Sequence, residues 1–266
     1  MTTFGIVGWG RIGRRIASRL ANDRNAPKLC AYLVRPHQRD EAEAELGPGL
    51  ACDRVDELIA RRPDVVVESA SPPALADLAP HLLGTGIDVI PLSLAAFADP
   101  AVEAEVLAAA RAGPGRLEIP AGAVGSLGFL AAAREDALSD VLIRAAYPPA
   151  RLLGTKAEGM ADVAAITSRQ VIFSGSVREL AAGFPRRVNV TVAVALAGLG
   201  LDRTRAELVA DPALTQATFD VELRAGPGDA RLSIGPRDVP LGADPVDYTT
   251  FSVIRLLRRR VARVMV

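Results

Sequence analysis

Lysine is nearly absent from this chain: Lys28 and Lys156 are the only two, and arginine carries the rest of the basic charge. With abundant alanine, that bias reads as a GC-rich coding sequence rather than as a mechanism. Histidine is as scarce. His37 and His81 are the only ones, so the sequence beyond residue 81 has none. No spacing of His, Cys and Asp suggests a metal site, and no Ser/His/Asp or Cys/His nucleophilic arrangement can be assembled. The two cysteines, Cys30 and Cys52, are not in CxxC spacing, and Cys30 falls inside an expected buried strand; free thiols in a reducing cytoplasm are the simplest expectation. Net charge is missing too, with 31 basic residues balancing 31 acidic ones. That balance argues against nucleic acid or an anionic membrane as partner. No apolar run approaches the ~18 residues of a membrane span. The opening Met1-Thr2-Thr3-Phe4 has no charged segment ahead of its first apolar run, so no signal peptide is expected. Repeats and low-complexity linkers are also lacking.

Apolar patterning is present in quantity. Phe4-Gly5-Ile6-Val7 reads as a buried parallel strand, Gly8-Trp9-Gly10-Arg11-Ile12-Gly13 as a glycine turn, Arg14 to Ala21 as a helix and Leu29 to Val34 as a second strand. Strand, GxGxxG turn, helix and strand within about thirty residues is the setting in which this motif binds a dinucleotide. Gly8 permits the tight turn, Gly10 lets backbone approach a diphosphate, and Gly13 lets helix and strand pack closely. Trp9, Arg11 and Ile12 belong to the same turn, and the free N–H groups of the helix face the phosphates. At the end of the second strand stands Arg35, where an NAD site would carry an acid, and no acid occurs before Asp40. A guanidinium can grip a 2′-phosphate with paired hydrogen bonds. NADP is therefore expected over NAD, with Arg11 and Arg39 as possible helpers, although Arg35 and Arg39 also suit ordinary solvated loop charges.

The alternation continues. Helix is expected over Val55 to Arg61, strand over Val65 to Ala70, helix over Ala74 to Leu83 and strand over Ile87 to Leu92. Helix from Ala101 to Ala112 and a short strand from Arg116 to Ile119 complete a doubly wound parallel α/β sheet of Rossmann type in residues 1–120. Ala70 and Ser71 lie at a carboxyl strand end, where such sheets contact ligands. Beyond Pro120 a small-residue turn feeds a helix to Ala137. Strands at Val141 to Ala146, Val171 to Phe173, Arg205 to Val209, Thr218 to Arg224 and Ala230 to Ile234, with an apolar helix from Val188 to Leu199, indicate a second, α+β domain over 121–244. A last helix at about 245–266 is expected to return to the first domain. In Tyr248 to Val264, its core-facing stripe reads as Phe251, Ile254, Leu257 and Val261, with Arg255, Arg258 and Arg259 opposite.

The chain resembles the L-aspartate dehydrogenase family along nearly its whole length. The resemblance rests on Gly8, Gly10 and Gly13, on Val67-Glu68-Ser69-Ala70-Ser71, and on Ile119-Pro120-Ala121-Gly122-Ala123-Val124-Gly125-Ser126-Leu127. It also rests on Phe184-Pro185 before Val188-Asn189-Val190, and on Asp211-Pro212. It implies a Rossmann domain and a second domain that builds the substrate site and a homodimer interface. It further implies coenzyme contacts from Ala121, Gly122, Ala123 and Asn189, the last beside the nicotinamide. The departures fall on the chemistry. Phe219 stands where the family has a His eight residues beyond the Asp of the Asp-Pro pair, Tyr147 replaces a lysine before Pro148-Pro149, and Ala121 replaces a serine. Val246-Asp247-Tyr248-Thr249-Thr250 replaces the family's Asn-Pro-Lys-Thr-Ser. A phenyl ring cannot exchange a proton or pair with a carboxylate. Tyr147 and Tyr248 are left as hydroxyl donors, Lys156 as an acid or anion anchor, and Asn189 as a polar group or a mere helix cap. Arg144, Arg186 and Arg187 are candidate carboxylate partners; His81 reads as structural. The expected function is hydride transfer between a nicotinamide coenzyme and a small amine/imine or alcohol/ketone other than aspartate. A true aspartate dehydrogenase with a substitute acid, and a dinucleotide-binding protein without catalysis, are the alternatives.

Overall fold

The computed structural model describes residues 2–186, 188–235 and 247–264; Arg187 and Val246 lie outside them. The chain divides into two compact units, Met1–Gly122 with Val246–Val266, and Ala123–Pro245. Among the described residues no helix is long and apolar enough to cross a membrane.

The first unit begins β1 (Thr3–Val7), α1 (Arg11–Ala21), β2 (Lys28–Leu33), α2 (Arg39–Leu46), β3 (Ala51–Cys52) and α3 (Val55–Ala60). It continues with β4 (Val65–Glu68), α4 (Pro72–Gly84), β5 (Asp88–Pro91) and α5 (Pro100–Ala112). Its sheet has the order β3-β2-β1-β4-β5, every pair parallel. Phe4, Ile6, Val65, Val67 and Ile90 are fully buried, which is why these strands read as unbroken apolar runs rather than alternating ones. The expected strand at Arg116 to Ile119 makes only a bridge between Val89 and Leu117. Gly113-Pro114-Gly115 delivers it and Pro120 stops it, so the ladder has no room to grow. The opposite edge gains β3, a two-residue strand that pairs with Tyr32 and Leu33 and is too short to announce itself by pattern. Cys30, expected buried, is half-buried in β2, while Cys52 is buried; both thiols are free.

The second unit holds α6 (Leu127–Ala133), β6 (Asp140–Tyr147), β7 (Gln170–Ser176), α7 (Val177–Gly183), α8 (Asn189–Ala197), β8 (Arg205–Ala210), β9 (Thr218–Ala225) and β10 (Gly228–Ile234). α6 ends four residues before the expected Ala137, whose backbone turns left-handed at φ 45°. The sheet order is β10-β9-β6-β8-β7; only β6 and β8 run parallel. Its register puts Arg144, Glu207 and Asp220 on one face and Ala145 and Phe219 on the other. Arg144 binds Glu207 and Glu222 at 2.7 Å each, so it is already engaged by carboxylates of its own sheet.

The last helix, α9 (Tyr248–Arg259), packs into the first unit. Asp247 caps it, accepting from the Thr250 N–H at 2.9 Å. The buried side chains are Thr250, Val253, Ile254, Leu256 and Leu257, a stripe rotated from the expected one. Phe251 and Val261 are exposed. The helix stops before Val261, and Phe251 lies beneath the Arg19 guanidinium at 5.8 Å. Val253, Ile254 and Leu257 share one apolar cluster with Phe4, Ile16 and Tyr32.

Candidate coenzyme cleft and substrate-side residues

The glycine turn is built by steric need. Gly8 has φ +99°, and a Cβ there would stand 2.7–2.9 Å from the backbone and side chain of Ala70. Its N–H donates to the Leu33 carbonyl at 2.9 Å. A Cβ at Gly13 would run into the Tyr32 hydroxyl and lie 2.9 Å from Ser69 Oγ. Tyr32 in turn donates to the Gly8 carbonyl at 3.2 Å, and burial pushes its phenol well above the usual range. Gly10 is different. Its φ is −98°, and a Cβ would meet nothing nearer than the Ser69 carbonyl at 3.8 Å, so its backbone is bare on the open side. Gly10 starts α1 without a side-chain cap, and the first turn carries no acid. These amides and the helix dipole therefore suit an anion.

Around this turn opens a cleft of about 580 Å³, lined by Gly8, Trp9, Gly10, Arg35, Ala70 and Ser71 among others. The bare Gly10 backbone, the uncapped helix start and the wall at Ala70 fit a dinucleotide diphosphate. Trp9 packs inward, edge-on to Tyr32 at 4.9 Å and under the Arg14 guanidinium at 5.0 Å, with its Nε1 buried and without a partner among the described residues. Ile12 is half-buried against the core behind the turn. Arg35 is exposed at the mouth, and among the described residues no carboxylate is paired with it. Arg39 lies outside the cleft lining and pairs with Asp53 at 3.3 Å and Glu57 at 3.8 Å. Arg11 faces Asp247 at 3.5 Å. Gly122 turns at φ +58° and donates to Ser252 Oγ at 3.1 Å; half-buried Ala121 precedes it, and half-buried Ala123 opens the second unit. Tyr248 stands exposed at the first turn of α9, away from the cleft lining. His81 lies on α4 with its side chain outward.

In the second unit the structure brings Tyr147 and Phe219 together, both buried, with rings edge-to-face at 6.3 Å. The Tyr147 carbonyl accepts from the Asp211 N–H at 2.9 Å. Asp211 is itself buried, bonded by the Ala213 N–H at 3.0 Å and by Arg169 at 3.0 Å. Lys156 is exposed on a single 3₁₀ turn, Lys156–Gly159, capped by Thr155. Asn189 is exposed as the first residue of α8, while Val188 occupies the cap position without a side-chain bond, so Asn189 is no cap. Arg186 is exposed. Among the described residues no group of three His, Cys, Asp or Glu is arranged to hold a metal.

Glu68, part of the Val67–Ser71 motif, has no role readable from the sequence. It ends β4, is buried, and accepts four hydrogen bonds, from the N–H groups of Ala70, Ser71 and Ser93 and from the Ser93 hydroxyl. Its signal was a lone acid closing the apolar run Val65-Val66-Val67. Burial pushes its carboxyl up, while these donors favour the ionised form.

Fold and cleft together define a nicotinamide-dinucleotide dehydrogenase of Rossmann type. Residues 8–120 match the family described as homoserine dehydrogenase, NAD binding domain, and residues 129–260 match aspartate dehydrogenase, C-terminal. The chain is 36% identical over 266 residues to the L-aspartate dehydrogenase of Ralstonia nicotianae, covering 98% of each. It is 38% identical over 226 residues to L-aspartate dehydrogenase 1 of Bordetella pertussis, covering 85% of this chain and 83% of that one. The crystal structure of aspartate dehydrogenase from Thermotoga maritima shares the fold, with a TM-score of 0.76 and 24% identity over 100% of this chain and 99% of that one. This chain belongs to the L-aspartate dehydrogenase family of NAD(P)-dependent oxidoreductases.

Proposed function

We propose that this chain is an NADP-preferring dehydrogenase acting on a CH–NH2/C=N pair whose carbon carries a less polar substituent than that of aspartate. The observation behind this reading is the buried Tyr147–Phe219 aromatic pair, set at the position where the resemblance calls for a histidine. An aromatic wall favours an apolar flank and leaves a desolvated carboxylate unpaired there. Arg144 does not make up the loss, because Glu207 and Glu222 hold it. The reaction in the oxidative direction is amine to imine: the substrate would lose a hydride from carbon and a proton from nitrogen. When bound, the nicotinamide supplies the hydride chemistry; the chain binds, orients and excludes water. The Tyr147 hydroxyl is the group assigned to exchange the proton, Asn189 to hydrogen-bond the coenzyme, and Lys156 to anchor an anionic substituent. Tyr248, exposed on α9, has the weakest support among these candidates. Ketone reduction by the same groups belongs to the same reading.

Arg35, exposed at the cleft mouth with no acid paired to it among the described residues, supports the NADP preference. A cytoplasmic homodimer, with residues 121–244 as the substrate and dimerisation domain, completes the proposal; light scattering of the purified chain checks the dimer. The second reading is aspartate itself, favoured by relatives at 36–38% identity that are named L-aspartate dehydrogenases. Steady-state oxidation of aspartate and a panel of apolar amines, with NADP+ and NAD+ in parallel, separates the two. Higher kcat/KM for aspartate than for every apolar amine refutes the first reading. Phe219→His is expected to raise aspartate turnover at the expense of the apolar amines.

A further inference from the structure

Two turns at the carboxyl ends of neighbouring strands meet on a single buried side chain. Glu68 closes β4. Its Oε1 accepts the N–H of Ala70 at 2.7 Å, the N–H of Ser71 at 3.0 Å and the hydroxyl of Ser93 at 2.9 Å. Its Oε2 accepts the N–H of Ser93 at 3.1 Å. Ser93 follows β5, and the carbonyl of Glu68 takes the Leu92 N–H at 2.9 Å, so both backbone and side chain tie the two strand ends together. Four donors match what one carboxylate can accept. A backbone turn with its amides directed inward is otherwise an unsatisfied, floppy element in this position.

The turn held in this way is a wall of the cleft. Ala70 is the residue that a Cβ at Gly8 would strike, at 2.7–2.9 Å, so its position sets the space left for the glycine turn. Ala70 and Ser71 both line the cleft, and Ser71 then caps α4 by accepting the Ala74 N–H at 3.4 Å. Glu68 does not line the cleft itself. We propose that Glu68 is a positioning residue for the coenzyme: its carboxylate gathers the Ser69–Ser71 and Leu92–Ser93 turns into one frame and so fixes the wall that faces Gly8. The inference rests on the reading of this cleft as the dinucleotide site.

The test uses the full chain and NADPH and NADH as probes, with binding followed through Trp9, the single tryptophan, which lines the same cleft. Glu68→Gln keeps the shape but sets an amide N–H against a turn made of donors, so at least one contact is lost. Hydrogen bonds to a charged group are the stronger ones, and dissociation constants of both coenzymes are expected to rise about tenfold or more. Ser93→Ala, which removes one side-chain donor and keeps the Ser93 N–H, is expected to raise them about threefold. Val106→Ala is the control. It empties a buried site on α5 in the same unit and lowers the melting temperature without moving the dissociation constants. Binding is measured well below each variant's melting transition, with the stoichiometry of folded sites determined by titration. If folded Glu68→Gln and Ser93→Ala both bind within twofold of the parent chain, the positioning role is overturned. Failure of the parent chain to bind either coenzyme overturns the cleft reading itself, and this role with it.

Discussion

Exchanging Gly8 and Gly10 for alanine, one at a time, separates folding from coenzyme binding within a three-residue turn. At Gly8 the backbone is left-handed, φ +99°, which disfavours an L-residue by about 1–2 kcal/mol. The added methyl also falls 2.7–2.9 Å from Ala70, whose Cα and N cannot step aside as a flexible side chain would. Overpacking of this kind adds about 1–3 kcal/mol. Gly8→Ala is therefore expected to lose about 3 kcal/mol, a fall of roughly 6–12 °C in melting temperature for a chain of this size. At Gly10 the backbone has an ordinary φ of −98° and the nearest atom to a new methyl is 3.8 Å away. The only loss there is an alanine in place of glycine at a helix cap, under about 1 kcal/mol. Yet that methyl occupies the bare side of the turn, where a diphosphate must approach the amides, and coenzyme affinity is expected to drop at least tenfold. Guanidinium unfolding followed by Trp9 fluorescence gives the stabilities, and titration with NADPH and NADH gives the affinities. Equal destabilisation by the two variants, or undiminished coenzyme binding by Gly10→Ala, refutes the steric account of the turn.

Arg35→Ser is expected to weaken NADPH by about thirtyfold through loss of a charge-assisted phosphate contact while leaving NADH within a factor of three, measured as the ratio of dissociation constants. Arg260→Met removes contacts to Asp88 at 2.6 Å and Glu118 at 2.8 Å, takes the guanidinium from half-buried Asp88 while Glu118 keeps Arg259 at 3.9 Å, and is expected to destabilise by about 2–3 kcal/mol in denaturant unfolding. Hydrogen bonding to Arg144 holds Glu222, and hydrogen bonding to Arg205 holds Asp140, below the usual carboxylate range. A depressed folded pKa means that the folded state binds fewer protons than the unfolded one, so this stability is present above about pH 4–4.5 and is lost as pH falls through the folded values. Acid unfolding of Arg144→Gln should accordingly show a weaker pH dependence below pH 4.5, with a loss at pH 7 of about 1 kcal/mol because the pair is solvent-screened.

Features dictated by local backbone need were legible in the sequence. The turn was readable because Gly8 and Gly13 answer steric demands within one strand–helix–strand unit, while Gly10 leaves the start of the helix bare. The parallel order was readable because strands buried on both faces appear as unbroken apolar runs. What stayed hidden depends on partners far apart in the chain. The bond between Glu68 and Ser93 spans two strand ends, and the pairing of Arg39 with Asp53 and Glu57 joins residues that the local sequence does not link. The buried stripe of α9 differs from the expected one because Phe251 fits the helical period as well as Val253 does; only the shape of the core into which Val253, Ile254 and Leu257 fit decides between them. Near Tyr147 and Phe219 the residue types could be read, but the edge-to-face pairing required the register of β6 and β9.

Because α9 shares a core with Phe4 and Ile16, the first unit is assembled from two segments far apart in the chain, Met1–Gly122 and Val246–Val266. During synthesis its sheet is made well before α9, so the groove that Val253, Ile254 and Leu257 fill stays open until residues beyond 250 have been translated. A nascent chain halted before residue 250 therefore holds a nucleotide-binding half that is still missing part of its interior.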